Sequence, residues 1–436
     1  VNRLTAATIG LATAAAVGIF VGSGQVVWAL LLTAAVLTVA LRPPVWLGLC
    51  LVALTLPAGT VFGSNIVKWY DLASLFAVAC WILRPARAPR ILVRDIVFLL
   101  AWSVICTLLA LFQFTAFTGL VVIFQAGVLM LIAASTPKEQ SRAVLVRVAI
   151  SIYVASCIIA IQALASVSNG GGIAGGAVRV GGGVESALGK VNFLAALMVL
   201  GAVAVISVWP IIESRRVKLT VLVSAPILAV GLLTVGSKNQ IIALALFCVV
   251  VFVFGANKIR GHIPRRLILA AAMGFVLWLS YGYLTIIFQP VTGTGVFGYR
   301  TFQDRVFLWR LARDTIVANP LTGIGPNSFR VGDLPYQAHN MFLQVAVETG
   351  LIGLFLYLRV YLAALRGHRR GVTKTVAWRV LLGLTLSGMA EPTFRSIYYD
   401  AAAWTLLGVV VALAATAENT PEVSRVKTQP AAALVK

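Results

Sequence analysis

The stretch YQAHNMFLQVAVETGLIGLFLYL, residues 336–358, decides how the rest of the chain is read. It opens with His339 and Asn340, then turns strongly apolar, yet keeps Gln344 and Glu348 inside the apolar run. Asn340, Gln344 and Glu348 stand i, i+4, i+8, so a helix over 340–364 would align them as one polar stripe on an otherwise apolar cylinder. Such a stripe faces protein or water and not lipid, because ionisable groups in hydrocarbon are expensive. The stretch thus predicts a membrane-spanning helix inside a bundle, with an imidazole at its lip. Gly350, Gly353 and Ala346 would let a neighbouring helix approach closely.

Composition extends that reading to the whole chain. Its 436 residues are 60% hydrophobic and 11% charged, with a mean hydropathy of +0.97, which excludes an ordinary soluble domain. A helix needs about 20 apolar residues to cross a bilayer core. Candidate windows recur near 5–22, 25–41, 45–62, 68–83, 95–114, 117–134, 144–166, 191–212, 218–235, 239–257, 267–289, 340–364, 376–391 and 399–417. The windows at 68–83 and 376–391 are short enough to be re-entrant, so the expected fold is an all-α polytopic membrane protein of twelve to fourteen transmembrane helices.

Four basic segments orient these spans: RPARAPRILVR from Arg84, ESRRVK from Glu213, KIRGHIPRR from Lys258 and RGHRRGVTK from Arg366. Placing all four in the cytoplasm, as the positive-inside bias requires, is consistent with fourteen spans and both termini inside. The expected organisation is a helix bundle over 1–289, an outward loop over 290–338, C-terminal spans over 339–417 and a disordered cytoplasmic tail over 418–436. Arg359 falls low in a span, where it can snorkel to the cytoplasmic surface. The net charge of +22 then reads as topology and attraction to anionic lipid, not as nucleic-acid binding. Cys50, Cys80, Cys106, Cys157 and Cys248 fall singly in separate spans and read as apolar fillers. The first span reads as retained, since a second follows it with no small-residue cleavage site between. The expected location is the cytoplasmic membrane.

Two outward loops are long enough to carry chemistry. SNGGGIAGGAVRVGGGVESALGKVN from Ser168 resembles a phosphate-binding P-loop only superficially: five residues separate Gly183 from Gly189, and Val191 stands where Ser or Thr is required. The second loop contains residues 303–318, an amphipathic helix stopped by Asn319 and Pro320. Arg310 and Asp314 are spaced for an i,i+4 pair, while Arg300, Arg305 and Arg313 are an unusual outward excess of cations, available to lipid headgroups or to an anionic substrate. His262 and His368 sit among arginines in cytoplasmic loops and read as solvated; His339 alone faces outward. The outward carboxylates Asp304, Asp314, Asp333, Glu391 and Asp400 show no ligand spacing with a second histidine, so no metal site is expected.

Together, Arg305 with Trp309, then NPLTGIGPNSF, then AHNMFLQVAVETGLIG resemble the core of the bacterial O-antigen ligase and O-antigen polymerase superfamily. VNFLAALMVL from Val191 and TVGSKNQIIAL from Thr234 are weaker matches in the expected order. The resemblance spans residues 179–358. It implies an integral-membrane glycosyltransferase that works without cofactor or metal on an undecaprenyl-diphosphate-linked glycan at the outer face. Its acceptor would be lipid A core, another glycan, protein or another cell-envelope hydroxyl. The family pattern makes His339 the general base and Arg305 a clamp on the lipid diphosphate, with Arg179 and Arg300 as further outward cations. Lys238 stands where the family usually has the Arg of a Ser-Arg-Gly turn, giving a point charge in place of a bidentate fork. Asn340 and Glu348 would support the base.

The chemistry is coherent with those residue types. A sugar hydroxyl is a poor nucleophile, which a neutral imidazole activates by taking its proton, and a departing diphosphate needs fixed cations. Direct attack at the anomeric carbon inverts its configuration. A polymerase of the same superfamily would share these motifs. A transporter or lipid-linked oligosaccharide flippase would instead show internal repeats and mid-membrane ionisable groups.

Overall fold

The computed structural model describes residues 69–83, 87–110, 114–168, 173–174, 177–178, 191–235, 237–255, 299–331, 334–335, 337–366, 368, 371–390 and 397–417. The expected spans at 5–22, 25–41, 45–62 and 267–289, the tail over 418–436, Arg179 and His262 lie outside them. Each of the other expected spans overlies a helix. In chain order these are α1 (Trp69–Leu83), α2 (Arg90–Leu109), α3 (Phe114–Ala134), α4 (Lys138–Ser168), α5 (Val191–Val208), α6 (Arg215–Val235) and α7 (Lys238–Gly255). After the loop helix α8 (Tyr299–Ala318) come α9 (Met341–Tyr361), α10 (Val372–Ala390) and α11 (Ile397–Ala417). The strands among the described residues form two antiparallel ladders of two residues each, at 173–178 and 330–335.

Among the described residues six helices are long and apolar enough to cross a membrane: 90–109, 116–134, 138–165, 194–211, 215–235 and 341–365. Their burial shows how they are arranged. In the window 194–211, 78% of residues are buried, whereas in 215–235 only 22% are. Accordingly α5 lies in the middle, packed by α4, α7, α10 and α11, while α6 forms a flank that exposes Leu219, Leu222, Val223 and Leu233. An apolar flank of that size would be a liability in water and is the expected surface in lipid. The other buried axis is α11, every residue of which from 401 to 414 is buried against α3, α4 and α10.

Two buried polar side chains of α4 tie it to its neighbours through backbone carbonyls, which suits an apolar interior. Ser156 Oγ donates to Leu197 O at 2.8 Å, tying α4 to α5, and Tyr153 Oη donates to Val221 O at 3.0 Å, tying α4 to α6.

The basic ends of α2 and α9 differ from the sequence expectation. Arg359 does not snorkel freely. Its Nη2 donates to Asp95 Oδ1 at 2.7 Å, Arg366 Nη1 donates to Asp95 Oδ2 at 2.7 Å, and Asp95 itself is fully buried. Because α2 and α9 run antiparallel, this contact lies at one end of the pair, and Trp102 Nε1 donating to Thr349 O lies farther along toward the other. His368 is buried rather than solvated: α11 packs over the turn that follows α9, and desolvation by burial holds its imidazole below the usual range, with the backbones of Val410 and Ala364 pulling the other way.

Candidate functional site

The site begins with a helix that breaks. Gly350 sits inside α9 at φ 69 and ψ −175, a conformation that only glycine adopts without strain. The sequence suggests close helix packing for Gly350; the structure uses it to interrupt the helical ladder. In an unbroken helix the carbonyls of residues 347–349 would take amides from the next turn. Here Val347 O accepts from Ile324 N at 3.0 Å and Glu348 O accepts from Gly325 N at 2.9 Å. Thr349 O accepts the indole N–H of Trp102 at 2.8 Å, and Leu351 N donates to Pro320 O at 2.8 Å. The loop NPLTGIG is thus threaded into the break and takes the place of a helical turn.

This docking explains the loop's glycines. Gly323 (φ 64) lies so close to α9 that a Cβ would collide with the Val347 carbonyl and the Glu348 backbone, and a Cβ on Gly350 would collide with Leu321 and Thr322. The break fixes the loop, and the loop fixes α8. Leu308 and Ala312 of α8 join Phe329, Ala338 and Val347 in a small separate core. Burying a side chain such as Leu308 or Phe329 is worth roughly 1.5–3 kcal/mol, so this core holds α8 against the N-terminal half of α9.

Above the core lies the HN step. Ala338 is fully buried and held on both sides: its N–H donates to Gln344 Oε1 at 2.7 Å, and its C=O accepts from Trp309 Nε1 at 2.8 Å. The next residue, His339, is half-buried and takes φ 47, an uncommon conformation for a non-glycine residue. Asn340 then caps α9, its side-chain oxygen accepting from Phe342 N at 3.0 Å and Leu343 N at 3.1 Å. The polar stripe is real and continuous, since Gln344 Nε2 donates to Glu348 Oε1, both side chains being fully buried. Glu348 therefore has a partner within its own helix, a link from the base of the stripe up to Ala338.

The TVGSKNQ turn approaches from another side. Lys238 is the first residue of α7; two residues on, the buried Gln240 donates through Nε2 to Ser387 O at 3.2 Å and accepts from Ser387 Oγ at 2.9 Å. The adjacent Gly388 lies against Met341, the first residue of α9. The step Ser387–Gly388 on α10 thereby receives the starts of both α7 and α9, which brings the backbone of Lys238 to the same end of the bundle as His339. Arg300 and Arg305 lie on α8, with Trp309 one turn beyond Arg305. The side chains of Lys238, Arg300 and Arg305 fall outside the described residues. Among the described residues of α8, Asp314 pairs with Arg313, at 2.7 Å on an exposed face, in place of the expected Arg310. Among the described residues no three His, Cys, Asp or Glu side chains converge where a metal ion could sit.

Sequence reasoning missed Trp102, Gln240 and Ser387, and gave Trp309 no structural role. None has a local spacing that announces it: Gln240 and Ser387 are 147 residues apart, and Trp102 and Thr349 are 247 apart.

A family model described as O-antigen ligase matches residues 223–358. The matched segment runs from α6 through the Lys238 turn, α8 and the glycine loop into α9, so it contains Trp309, Ala338, Asn340 and Gln344, which shape the HN step. A comparison with curated proteins finds no match. Residues 223–358 thus resemble the O-antigen ligase family, whose members are membrane enzymes of the ligase and polymerase kind.

Proposed function

We propose that this protein transfers a glycan from an undecaprenyl-diphosphate carrier to an acceptor hydroxyl at the outer face of the cytoplasmic membrane, with His339 as general base. The observation that carries the reading is the double hydrogen bond on Ala338 beside the left-handed His339. A half-buried imidazole on a peptide fixed from both sides has the defined position that proton transfer requires. In the reaction His339 takes the acceptor hydroxyl proton, the oxygen attacks the anomeric carbon, and the bond from that carbon to the diphosphate breaks. The lipid diphosphate leaves with the electron pair, and the configuration inverts.

The developing charge on the leaving group calls for fixed cations. Arg305 and Arg300 on α8 and Lys238 at the start of α7 are proposed to clamp the diphosphate, with Arg179 as a further contact. Asn340 supports the base by capping its helix, and Glu348 supports it through Gln344. The donor is already activated, so the step calls for no metal or cofactor.

The test is transfer by the purified protein from a lipid-diphosphate glycan in EDTA. His339→Ala should abolish transfer while the protein still inserts and unfolds at the wild-type temperature. Normal activity in that variant would remove His339 from the chemistry. In a deletion strain, accumulation of long unattached polymer identifies a ligase, whereas accumulation of single repeats identifies a polymerase.

A further inference from the structure

We propose that the basic ends of α2 and α9 form a binding site for the headgroup of one anionic phospholipid, at the face that the charge bias assigns to the cytoplasm. The inference rests on the membrane reading of the helices and is independent of glycan transfer. Asp95 is fully buried and takes one guanidinium on each oxygen, Arg359 on Oδ1 and Arg366 on Oδ2, both at 2.7 Å. Arg94 adds a third, 3.7 Å from Oδ1. Among the described residues three guanidiniums therefore share one carboxylate, so the cluster keeps a clear positive excess. The exposed Arg87 and Arg90 lie just before it on the chain.

The excess is presented outward. The side chains of Arg94, Arg359 and Arg366 keep 55%, 32% and 42% of their surface exposed, while the carboxylate between them keeps none. Each guanidinium has five N–H donors in a planar fork, so donors remain after Asp95 is satisfied, in a geometry that suits phosphate oxygens.

One turn toward the middle of the bundle the surface becomes apolar. Phe98 of α2 is exposed one turn from Arg94; Phe355 of α9 is exposed one turn from Arg359, whose guanidinium lies 5.8 Å from that ring. A band of cations beside exposed apolar rings matches a molecule with a phosphate at one end and acyl chains at the other. A free phosphate would use the cations and leave the rings without a function.

The experiment uses the full chain in neutral detergent and native mass spectrometry with phosphatidylglycerol or phosphatidylcholine as probe. Phosphatidylglycerol should be retained at least tenfold better than phosphatidylcholine. Arg94→Gln leaves both close Asp95 pairs intact, so folding is not at stake, and should lower phosphatidylglycerol retention about fivefold, the contribution of one cation near an anionic lipid. Lys218→Gln, a basic change on α6, should leave retention unaltered. Equal retention of the two lipids, no effect of Arg94→Gln, or an equal effect of Lys218→Gln would overturn the site. Displacement of phosphatidylglycerol by inorganic phosphate at about 10 mM would likewise overturn the lipid assignment, since counterion screening alone at that concentration is slight.

Discussion

The indole N–H of Trp309 donates to the carbonyl of Ala338 at 2.8 Å, and so joins the loop helix to the peptide that precedes His339. The same residue's N–H is taken by Gln344. Trp309→Phe leaves the buried Ala338 carbonyl without this partner, at a cost of about 1–3 kcal/mol, and Gln344→Leu does the same to the Ala338 N–H while also removing a donor from the buried Glu348, so it costs more. Both variants should fold, lose roughly tenfold or more in kcat with little change in KM, and exchange the Ala338 amide faster in the Gln344 variant. Misplacement by an ångström of a group that must meet its substrate costs rate on that scale. Unchanged kcat in both would show that the Ala338 bracket serves packing alone.

The glycines of the broken helix make a second comparison. Gly350→Ala adds a Cβ at positive φ and places it against Leu321 and Thr322, whereas Gly371→Ala adds one at φ +96 with nothing within 4 Å. Left-handed strain alone is about 1–2 kcal/mol, and forced overlap in a packed site adds a similar amount again. Thermal unfolding in detergent should therefore show a loss of roughly 3 kcal/mol for Gly350→Ala and about half of that or less for Gly371→Ala. Equal losses would mean that the loop does not dock into the break.

These two cases also show what the sequence makes legible. Hydropathy locates the helices well because lipid rewards a long apolar run wherever it occurs, and the loop helix expected over 303–318 is found over 299–318. The start of α2 lies five residues before the expected 95 because Arg90 and Arg94 are helical without being apolar. The stripe of Asn340, Gln344 and Glu348 follows from spacing, but its partners do not. Gln344 serves Ala338, whose other side is held by a tryptophan 29 residues away. The break at Gly350 is hidden because the residues after it are as apolar as those of a continuous span. What reveals it is a loop some 25 residues upstream that supplies amides to the freed carbonyls. Likewise His368 sits among arginines in sequence, yet in space α11 covers it.

Asp95 makes a third prediction. Breaking a buried ion pair costs about 3–5 kcal/mol, and breaking an exposed one costs less than about 1 kcal/mol. Asp95 is fully buried, but its partners Arg359 and Arg366 are 32% and 42% exposed and can turn to water. Asp95→Asn should accordingly cost roughly 2 kcal/mol in detergent, and a cycle with Arg366→Gln should show that the two losses are not additive. Independent losses would mean that the pair contributes nothing as a pair.

His368 gives a pH dependence with a definite sign. Burial lowers its pKa in the folded protein below the ordinary imidazole value of about 6.5. The unfolded chain thus takes up a proton at higher pH than the folded one does. Stability from this group is fully present above about pH 6.5 and is lost as the pH falls through the depressed folded value. Thermal unfolding of the wild type should move to lower temperature between pH 7.5 and pH 5. His368→Gln removes the titration while keeping a polar side chain of similar reach, and should flatten that part of the profile. If the wild type and the variant fall in parallel, carboxylates elsewhere carry the acid sensitivity and His368 does not.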